Sequence, residues 1–180
     1  MDSSAGSEIL IRHATIADGG LVHRFVTELA EYERSREQVT ATVESLAATL
    51  FGADTPFTTL IATVDGDPAG FAIYFYNIST WQGRKGLYLE DLYVTPRHRS
   101  LGVGKRLLRH LAQVAVDNDC GRFEWVVLDW NQPAIDFYRS IGAQPLDEWV
   151  KYRMDGDALA AFADSSLTRS AAGSPPARSP

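Results

Sequence analysis

Cysteine is nearly absent from this chain of 180 residues, since Cys120 is the only one. A single thiol excludes an intramolecular disulfide and a cysteine-based zinc site, and it favours a reducing, cytoplasmic location. Cys120 precedes Gly121 at a predicted helix-to-strand junction, where a buried and inert thiol is more common than a reactive one. We assign it no chemical role.

Long hydrophobic runs are also absent, and no stretch approaches the roughly 18 apolar residues that a membrane-spanning helix requires. The N-terminus, MDSSAGSEIL, lacks the basic and apolar segments of a secretory signal, so we expect neither export nor a membrane partner. The formal net charge of −6 disfavours nucleic acid as a partner, because phosphate backbones are held by clustered Lys and Arg. With 45% hydrophobic and 22% charged residues, the chain has the composition of one folded globular domain.

Acidic residues are missing from one window of the sequence and concentrated in another. The window from Leu92 to Val116 contains no Asp or Glu, yet it holds Arg97, Arg99, Lys105, Arg106 and Arg109. The segment from Glu28 to Glu37 instead has four glutamates against two arginines. The two windows predict one site for an anion and one for a cation, although two solvated helix faces would give the same pattern.

The spacing of apolar residues predicts the secondary structure and its order. The predicted elements are strand 8–13, helix 18–33, helix 42–52, strands 57–64 and 69–76 joined at Asp65-Gly66, strand 86–95, helix 103–117, strand 121–129, helix 131–140 and strand 146–154. Asp18 and Thr42 are predicted N-caps, and Gly52 is predicted to end its helix in the left-handed region. The strand–helix–strand unit predicts a parallel crossover and therefore an α/β fold with a mixed sheet, in the order β-α-α-β-β-β-α-β-α-β. We expect one domain over 8–163, between disordered segments 1–7 and 164–180.

Two glycines open the predicted long helix, within the segment Arg99-Ser100-Leu101-Gly102-Val103-Gly104. Unpaired N–H groups and the positive end of the helix dipole would attract a pyrophosphate there, and glycines allow its close approach to the backbone. The spacing is neither that of a Walker loop nor that of a dinucleotide fingerprint. A plain loop-to-helix turn has a similar pattern, but the preceding strand and the basic window favour a phosphate site.

This R-x-x-G-x-G segment resembles the acetyl-CoA pyrophosphate loop of the GNAT superfamily. Three further blocks, ELAEYE at 28–33, YLEDLYV at 88–94 and WNQPAIDFY at 130–138, resemble the spermidine/spermine and thialysine acetyltransferase branch. The matching blocks cover most of 11–154, whereas the tail from Ser165 and the short loop at Asp147 have no counterpart. The resemblance implies a splayed, mixed sheet flanked by helices, with acetyl-CoA between two parallel strands that part at a β-bulge, and it implies a homodimer.

The same resemblance implies the residues of the site. The pantetheine arm would meet the backbone of Leu92, Tyr93 and Val94. The pyrophosphate would be held by Arg99, Ser100, Leu101, Gly102, Val103, Gly104 and Lys105, and the far side of the cofactor would contact Asn131, Pro133, Ala134 and Tyr138. The amine would contact Tyr32, Glu33, Glu90 and Glu148.

Aminolysis of a thioester requires a neutral amine and a proton for the departing thiolate. Since an alkyl amine has a pKa of about 10.4, a base must take its proton, and Glu90 acting through water is the candidate. Simple alternation in YLEDLYV places Glu90 on an apolar face, where a carboxylate is costly unless it is used, although a solvent-facing strand residue is the alternative. Tyr138 is the candidate acid, and its alternative is an aromatic on a buried helix face beside Ile135.

The histidines show no metal-binding spacing, and we predict no metal. His98 lies between two arginines of the loop, where a loop role is expected. The predicted activity is acetyl-CoA-dependent N-acetylation of a primary amine on a small molecule, either a diamine or polyamine or a lysine-like amine such as thialysine. An amino acid, an aminoglycoside or a protein amine as acceptor stays open. So does a non-catalytic acetyl-CoA sensor, which the presence of Glu90 and Tyr138 disfavours.

Overall fold

The computed structural model describes residues 7–164. The strands are β1 (Ile9–His13), β2 (Thr58–Val64), β3 (Asp67–Ser79), β4 (Arg84–Val94) and β5 (Arg122–Glu124). The helices are α1 (Gly19–Tyr32), α2 (Val43–Phe51), α3 (Val103–Asp117), α4 (Gln132–Ser140) and α5 (Gly156–Ala163). Within the described residues the chain divides into two compact units, one that ends at Gln132 and one that begins at Pro133. Apart from Ser7 and Asp164, the segments predicted to be disordered lie outside the described residues.

The five strands form one sheet in the order β1-β2-β3-β4-β5. The first three pairings are antiparallel, and β4 pairs with β5 in parallel from Gly86 opposite Arg122 to Tyr88 opposite Glu124. Helix α3 makes the crossover between these two strands. The predicted α/β class with a mixed sheet is therefore confirmed. Beyond Tyr88, β4 continues to Val94 without a strand partner on its β5 side among the described residues.

A β-bulge interrupts β4 where the parallel pairing ends. Ile73 of β3 lies opposite Asp91, but the next residue, Tyr74, lies opposite Leu89, so Glu90 is the extra residue on the bulged strand. A bulge shifts the side chains that follow it to the other face of the strand. Glu90 is consequently exposed, whereas Asp91 is partly buried.

The first unit buries its core between the sheet and helices α1 and α2. Val22 and Phe25 of α1 pack with Phe71 and Tyr93 of the sheet, and the rings of Phe25 and Phe71 stack with their centroids 5.7 Å apart. Helix α3 packs against the sheet through a separate stripe of buried residues, namely Val103, Leu107, Leu108, Leu111 and Ala115. These apolar faces fix the C-terminus of α1 and the N-terminus of α3 relative to the end of β4.

The turns and caps agree with the sequence in part. Thr42 caps α2 as predicted, since its hydroxyl accepts a hydrogen bond of 3.1 Å from the Ser45 amide. Asp65 and Gly66 both have positive φ, as the predicted hairpin requires. The left-handed conformation predicted for Gly52 is wrong, because its φ is −64°. Glycine is needed there for space instead, since a Cβ would lie 2.7 Å from the Ala48 carbonyl oxygen.

Asp18 occupies the N-cap position of α1, but its side chain does not cap the helix. Its carboxylate accepts two hydrogen bonds from Arg12, at 2.7 and 2.8 Å, and one from the Thr15 amide at 2.8 Å. The hydrogen bond from the Arg12 guanidinium holds the pKa of Asp18 well below its ordinary value. The ion pair therefore fastens the end of β1 to the start of α1.

The second unit differs most from the prediction. Residues 146–154 form no strand in the described chain, and the helix α5 that follows was not predicted. In the first unit, strand β5 is three residues long rather than nine. A strand requires backbone partners on a neighbouring strand, and the sheet of the described chain ends at β5. Within 7–164, no helix has both the length and the apolar character needed to cross a membrane.

Candidate active site

The start of α3 has the properties of an anion site. Gly102 occupies the N-cap with φ of +87°, a left-handed conformation that disfavours other residues, and no side chain caps the helix. The first-turn amides therefore have no side-chain acceptor, and no acidic residue occurs in that turn. A Cβ built on Gly102 would meet nothing within 4 Å, so the space beside the backbone is open. The residues predicted to hold a pyrophosphate fit a phosphate group.

Arg99 connects this loop to α1. Its Nε donates a hydrogen bond of 3.2 Å to the Val94 carbonyl oxygen at the end of β4. Its guanidinium lies over the Tyr32 ring, 4.8 Å from the centroid, and 5.9 Å from the centroid of Tyr93. Two aromatic faces and one carbonyl thus hold the cation beside the loop.

His98 connects the loop to strand β3. It is buried, its Nδ1 lies 2.8 Å from the Thr95 hydroxyl, and its Nε2 lies 3.6 Å from a carboxylate oxygen of Asp67 in β3. Arg97 pairs with the same carboxylate at 2.6 Å. These contacts tie the loop to the β2–β3 hairpin, as expected for a residue with a loop role.

The pairing between β4 and β5 ends at Tyr88 and Glu124. Leu92, Tyr93 and Val94, the residues predicted for the pantetheine arm, lie on the part of β4 that β5 does not pair with. The residues that follow β5 are apolar and exposed, namely Val126, Val127 and Leu128. An extended, mostly apolar ligand arm can therefore run along the unpaired edge of β4.

Three carboxylates form an acidic cluster, defined here as Glu33, Glu90 and Asp91. Burial raises the pKa of Asp91 to about 6, and the neighbouring charges of Glu90 and then Glu33 add to the effect. Partial desolvation also raises the pKa of Glu33, although its side chain reaches the surface. None of the ion pairs within residues 7–164 involves these three side chains. An unpaired acidic cluster of this kind suits an ammonium group.

The position of Glu33 adds to the negative potential. It is the C-cap of α1, where the last carbonyl groups and the helix dipole favour a positive charge. Sequence reasoning found Glu33 and Glu90 but missed Asp91, because simple alternation turned Asp91 away from Glu90. The prediction that Glu90 lies on an apolar face is wrong, since the bulge exposes it.

Tyr32 and Asn131 were assigned to different ligands, but the structure brings them together. The Tyr32 hydroxyl donates a hydrogen bond of 3.0 Å to the Asn131 side-chain oxygen. The rings of Tyr32 and Trp130 lie 5.9 Å apart, and the Arg34 guanidinium lies over Trp130 at 4.9 Å. The C-terminus of α1 therefore contacts the turn after β5.

A cavity of about 740 Å³ lies between α1 and the segment that follows β4. Its lining contains arginine and glutamate side chains together with two tyrosines, namely Arg24, Glu28, Glu31, Tyr32, Tyr93, Thr95, Pro96, Arg97 and Arg99. Several of these charges are paired within the protein, since Arg24 lies 3.6 Å from Glu28 and Arg97 lies 2.6 Å from Asp67. Within the described part of the chain, no group of three or more His, Cys, Asp or Glu could hold a metal ion.

The comparison with known proteins identifies the family. Residues 23–143 match the acetyltransferase (GNAT) family. The chain belongs to the GNAT family of acetyltransferases. It is an N-acetyltransferase, and acetyl-CoA is the cosubstrate that GNAT enzymes use.

Named relatives of this GNAT enzyme cover most of its length. It is 39% identical over 164 residues to the thialysine N-epsilon-acetyltransferase of Sus scrofa, which covers 85% of this chain and 96% of the relative. It is 34% identical to the L-ornithine N5-acetyltransferase of Arabidopsis thaliana over an alignment 197 residues long, gaps included, which covers 84% of this chain and 86% of the relative. Among solved structures, an integron cassette protein from the mobile metagenome of V. cholerae has a TM-score of 0.74 at 29% identity, over 87% of this chain and 98% of that chain.

The remaining residues predicted for the GNAT site belong to the second unit. Tyr138 lies half-buried on α4, with its ring centroid 5.8 Å from that of Phe137. Pro133 and Ala134 lie in the first turn of the same helix, and Glu148 is exposed near a turn at Leu146. The roles of these residues in the GNAT reaction stay predictions.

Proposed function

We propose that this enzyme transfers the acetyl group of acetyl-CoA to the primary amine of a lysine-like small molecule such as thialysine. The observation that carries the proposal is the unpaired acidic cluster, which lies beside the point where β4 and β5 part. Support for the acceptor comes from the relatives, whose names specify thialysine and L-ornithine. Both compounds carry a side-chain amine on an amino acid.

The cosubstrate supplies an activated acetyl thioester, and we propose that the first unit holds its two ends. The N-terminus of α3 binds the diphosphate through the backbone from Ser100 to Lys105, with Arg99 beside it. The unpaired edge of β4 at Leu92, Tyr93 and Val94 binds the pantetheine arm. In this arrangement the thioester lies near the bulge, where the acidic cluster begins.

The acidic cluster would bind the amine and remove its proton. Asp91, partly buried beside Glu33, attracts the ammonium form, and the C-terminal end of α1 reinforces this attraction. Glu90, exposed on the bulge, accepts the proton through water, so that the neutral amine attacks the thioester carbonyl. Tyr138 then donates a hydrogen bond or proton to the departing sulfur.

Replacement of Glu33 by Gln tests the amine site. We expect Glu33→Gln to raise KM for thialysine about tenfold with little change in kcat, because a partly desolvated charged hydrogen bond is worth about 1.5 to 3 kcal/mol. Glu37→Gln, an exposed glutamate beyond α1, is the matched control and should leave KM unchanged. High salt should weaken the preference of the wild type for charged amines. Equal KM values for Glu33→Gln and wild type would refute this assignment.

We also propose that the enzyme is a homodimer in the cytoplasm. In the single chain, the second unit exposes large apolar side chains that include Trp149 (66%), Val150 (72%) and Tyr152 (90%). Exposed apolar residues close together in the sequence are typical of a protein interface. Light scattering on the purified protein should give the mass of a dimer, and a monomer at micromolar concentration would contradict it.

The single cysteine, which is a free thiol, supports the proposed cytoplasmic location.

A further inference from the structure

Arg34 differs from the other arginines in and directly after α1, because its charge has no anionic partner in the described chain. Arg24 pairs with Glu28 at 3.6 Å, and Arg36 pairs with Glu31 at 3.5 Å. Among the described residues, neither an ion pair nor a side-chain hydrogen bond engages the Arg34 guanidinium. A guanidinium has five N–H donors, so this side chain is available to bind an anion.

The Arg34 guanidinium is nevertheless held in a defined place. It lies over the ring of Trp130, 4.9 Å from the centroid. Stacking on an aromatic ring uses the flat face of a guanidinium and leaves the N–H groups at its edge free to donate hydrogen bonds. Trp130 follows β5, and its ring lies 5.9 Å from that of Tyr32 at the end of α1. The unpaired charge is therefore fixed between the C-terminus of α1 and the turn after β5.

The backbone of Arg34 is strained. Its φ is +59°, a left-handed conformation that is costly for a residue with a side chain. Glycine would adopt this conformation without strain, and it is the residue most often found just after a helix end. Residues in strained conformations cluster at functional sites, where the side chain is needed. The strain thus supports a role for the arginine side chain itself.

The acidic cluster begins at the residue before Arg34. Glu33 belongs to this cluster, and its charge raises the pKa of Asp91. Consecutive Cα atoms lie about 3.8 Å apart, so adjacent residues present a carboxylate and a guanidinium at one end of α1. Glu33 and Arg34 form no ion pair with each other. A ligand that carries an ammonium group and a carboxylate on one short chain matches this pair of unpaired charges.

We propose that Arg34 binds the α-carboxylate of the acceptor and thereby selects a lysine-like amino acid over a diamine or polyamine. The proposal rests on the proposed function, because it takes the acidic cluster as the site of the reacting amine. Hydrogen bonds from a guanidinium to a carboxylate are charge-assisted and can be bidentate, so they favour an acceptor that has the carboxylate. A polyamine has none, and the positive charge of Arg34 repels its distal ammonium groups.

Two acceptors that differ only in the carboxylate test the proposal. Thialysine carries it, and bis(2-aminoethyl) sulfide is the same molecule without it. Arg34→Gln should raise KM for thialysine at least about tenfold with little change in kcat, and it should leave KM for the sulfide diamine equal to or below that of wild type. Arg34→Gly also removes the backbone strain, so it should stay folded and show the same difference between the two acceptors.

Arg36→Gln is the matched control, since it removes an exposed arginine that already has a partner in Glu31, and it should leave both KM values unchanged. An equal rise in KM for both acceptors in Arg34→Gln would overturn the proposal, because loss of the contact with Trp130 alone acts on both. An unchanged KM for thialysine would overturn it as well. Failure of the proposed function is distinguishable, since the wild type would then release no CoA with either acceptor.

Discussion

Asp91 should make the folded enzyme less stable at neutral pH. Its replacement by Asn should therefore raise the free energy of unfolding. In the fold its pKa is about 6 rather than 3.8, because burial, then Glu90 and then Glu33 disfavour the charged form. Between pH 3.8 and about pH 6, the Asp91 carboxyl therefore keeps its proton in the folded protein and loses it in the unfolded chain. The free energy of unfolding falls as pH rises through this window, and the whole penalty is present above pH 6.

The magnitude follows from the two pKa values. Their difference of about 2 pH units, at about 1.4 kcal/mol each, gives a penalty of about 3 kcal/mol at pH 8. At pH 4.5 the unfolded carboxyl is mostly ionised and the folded one is mostly protonated, so only about 1 kcal/mol is present. Asn has the shape of Asp without its charge. Asp91→Asn should therefore be more stable than wild type by about 3 kcal/mol at pH 8 and by about 1 kcal/mol at pH 4.5.

Urea unfolding of both proteins at the two pH values measures this difference. Asp54→Asn, in an exposed turn, is the matched control and should show no pH-dependent gain. The same Asp91→Asn enzyme should have a higher KM for its amine, because it lacks the charge that binds the ammonium group. A stability gain that is equal at pH 4.5 and pH 8, or a loss of stability at pH 8, would refute the reasoning.

The other predictions concern the cofactor loop, the chemistry and the loop anchor. Gly104→Val should weaken acetyl-CoA binding at least tenfold by calorimetry while the protein stays folded, since a Cβ there makes only an ordinary contact at 3.7 Å. Glu90→Gln and Tyr138→Phe should each lower kcat by about 10²- to 10⁴-fold. The Glu90→Gln defect should shrink from pH 7 to pH 10, and a constant ratio to wild type would argue against a base. Thr95→Val leaves the buried His98 without its hydroxyl partner and should cost about 1 to 3 kcal/mol in urea unfolding, whereas unchanged stability would show that the hydrogen bond is dispensable.

Much of the first unit was predictable because its local signals agree with its packing. The apolar spacing of α3 gave its bounds, and the Asp65-Gly66 pair gave the hairpin between β2 and β3. Thr42 likewise marked the start of α2. In each case a few residues adjacent in the sequence are sufficient to specify the element, so its prediction did not depend on distant contacts.

The bulge at Glu90 was not predictable from alternation, because a period of two assumes that β3 and β4 stay in register. The extra residue depends on the pairing of Ile73 and Tyr74 across the sheet, and this pairing is a long-range property. Asp91 was missed for that reason, although two adjacent acidic residues in an otherwise apolar strand were a usable signal. The prediction of a strand at 146–154 was wrong for a similar reason. Its apolar residues form a strand only where a neighbouring strand provides backbone hydrogen-bond partners.

The measurement that tests the central claim most directly is release of free CoA from acetyl-CoA in the presence of a panel of amines. The panel contains thialysine, lysine, ornithine, a diamine, spermidine, an aminoglycoside and a lysine-containing peptide. The account predicts rapid release with thialysine or ornithine, slower release with the diamine and spermidine, and a loss of most of this activity in Glu90→Gln. Tight binding of acetyl-CoA without release on addition of any amine would contradict it and would indicate a sensor of acetyl-CoA instead.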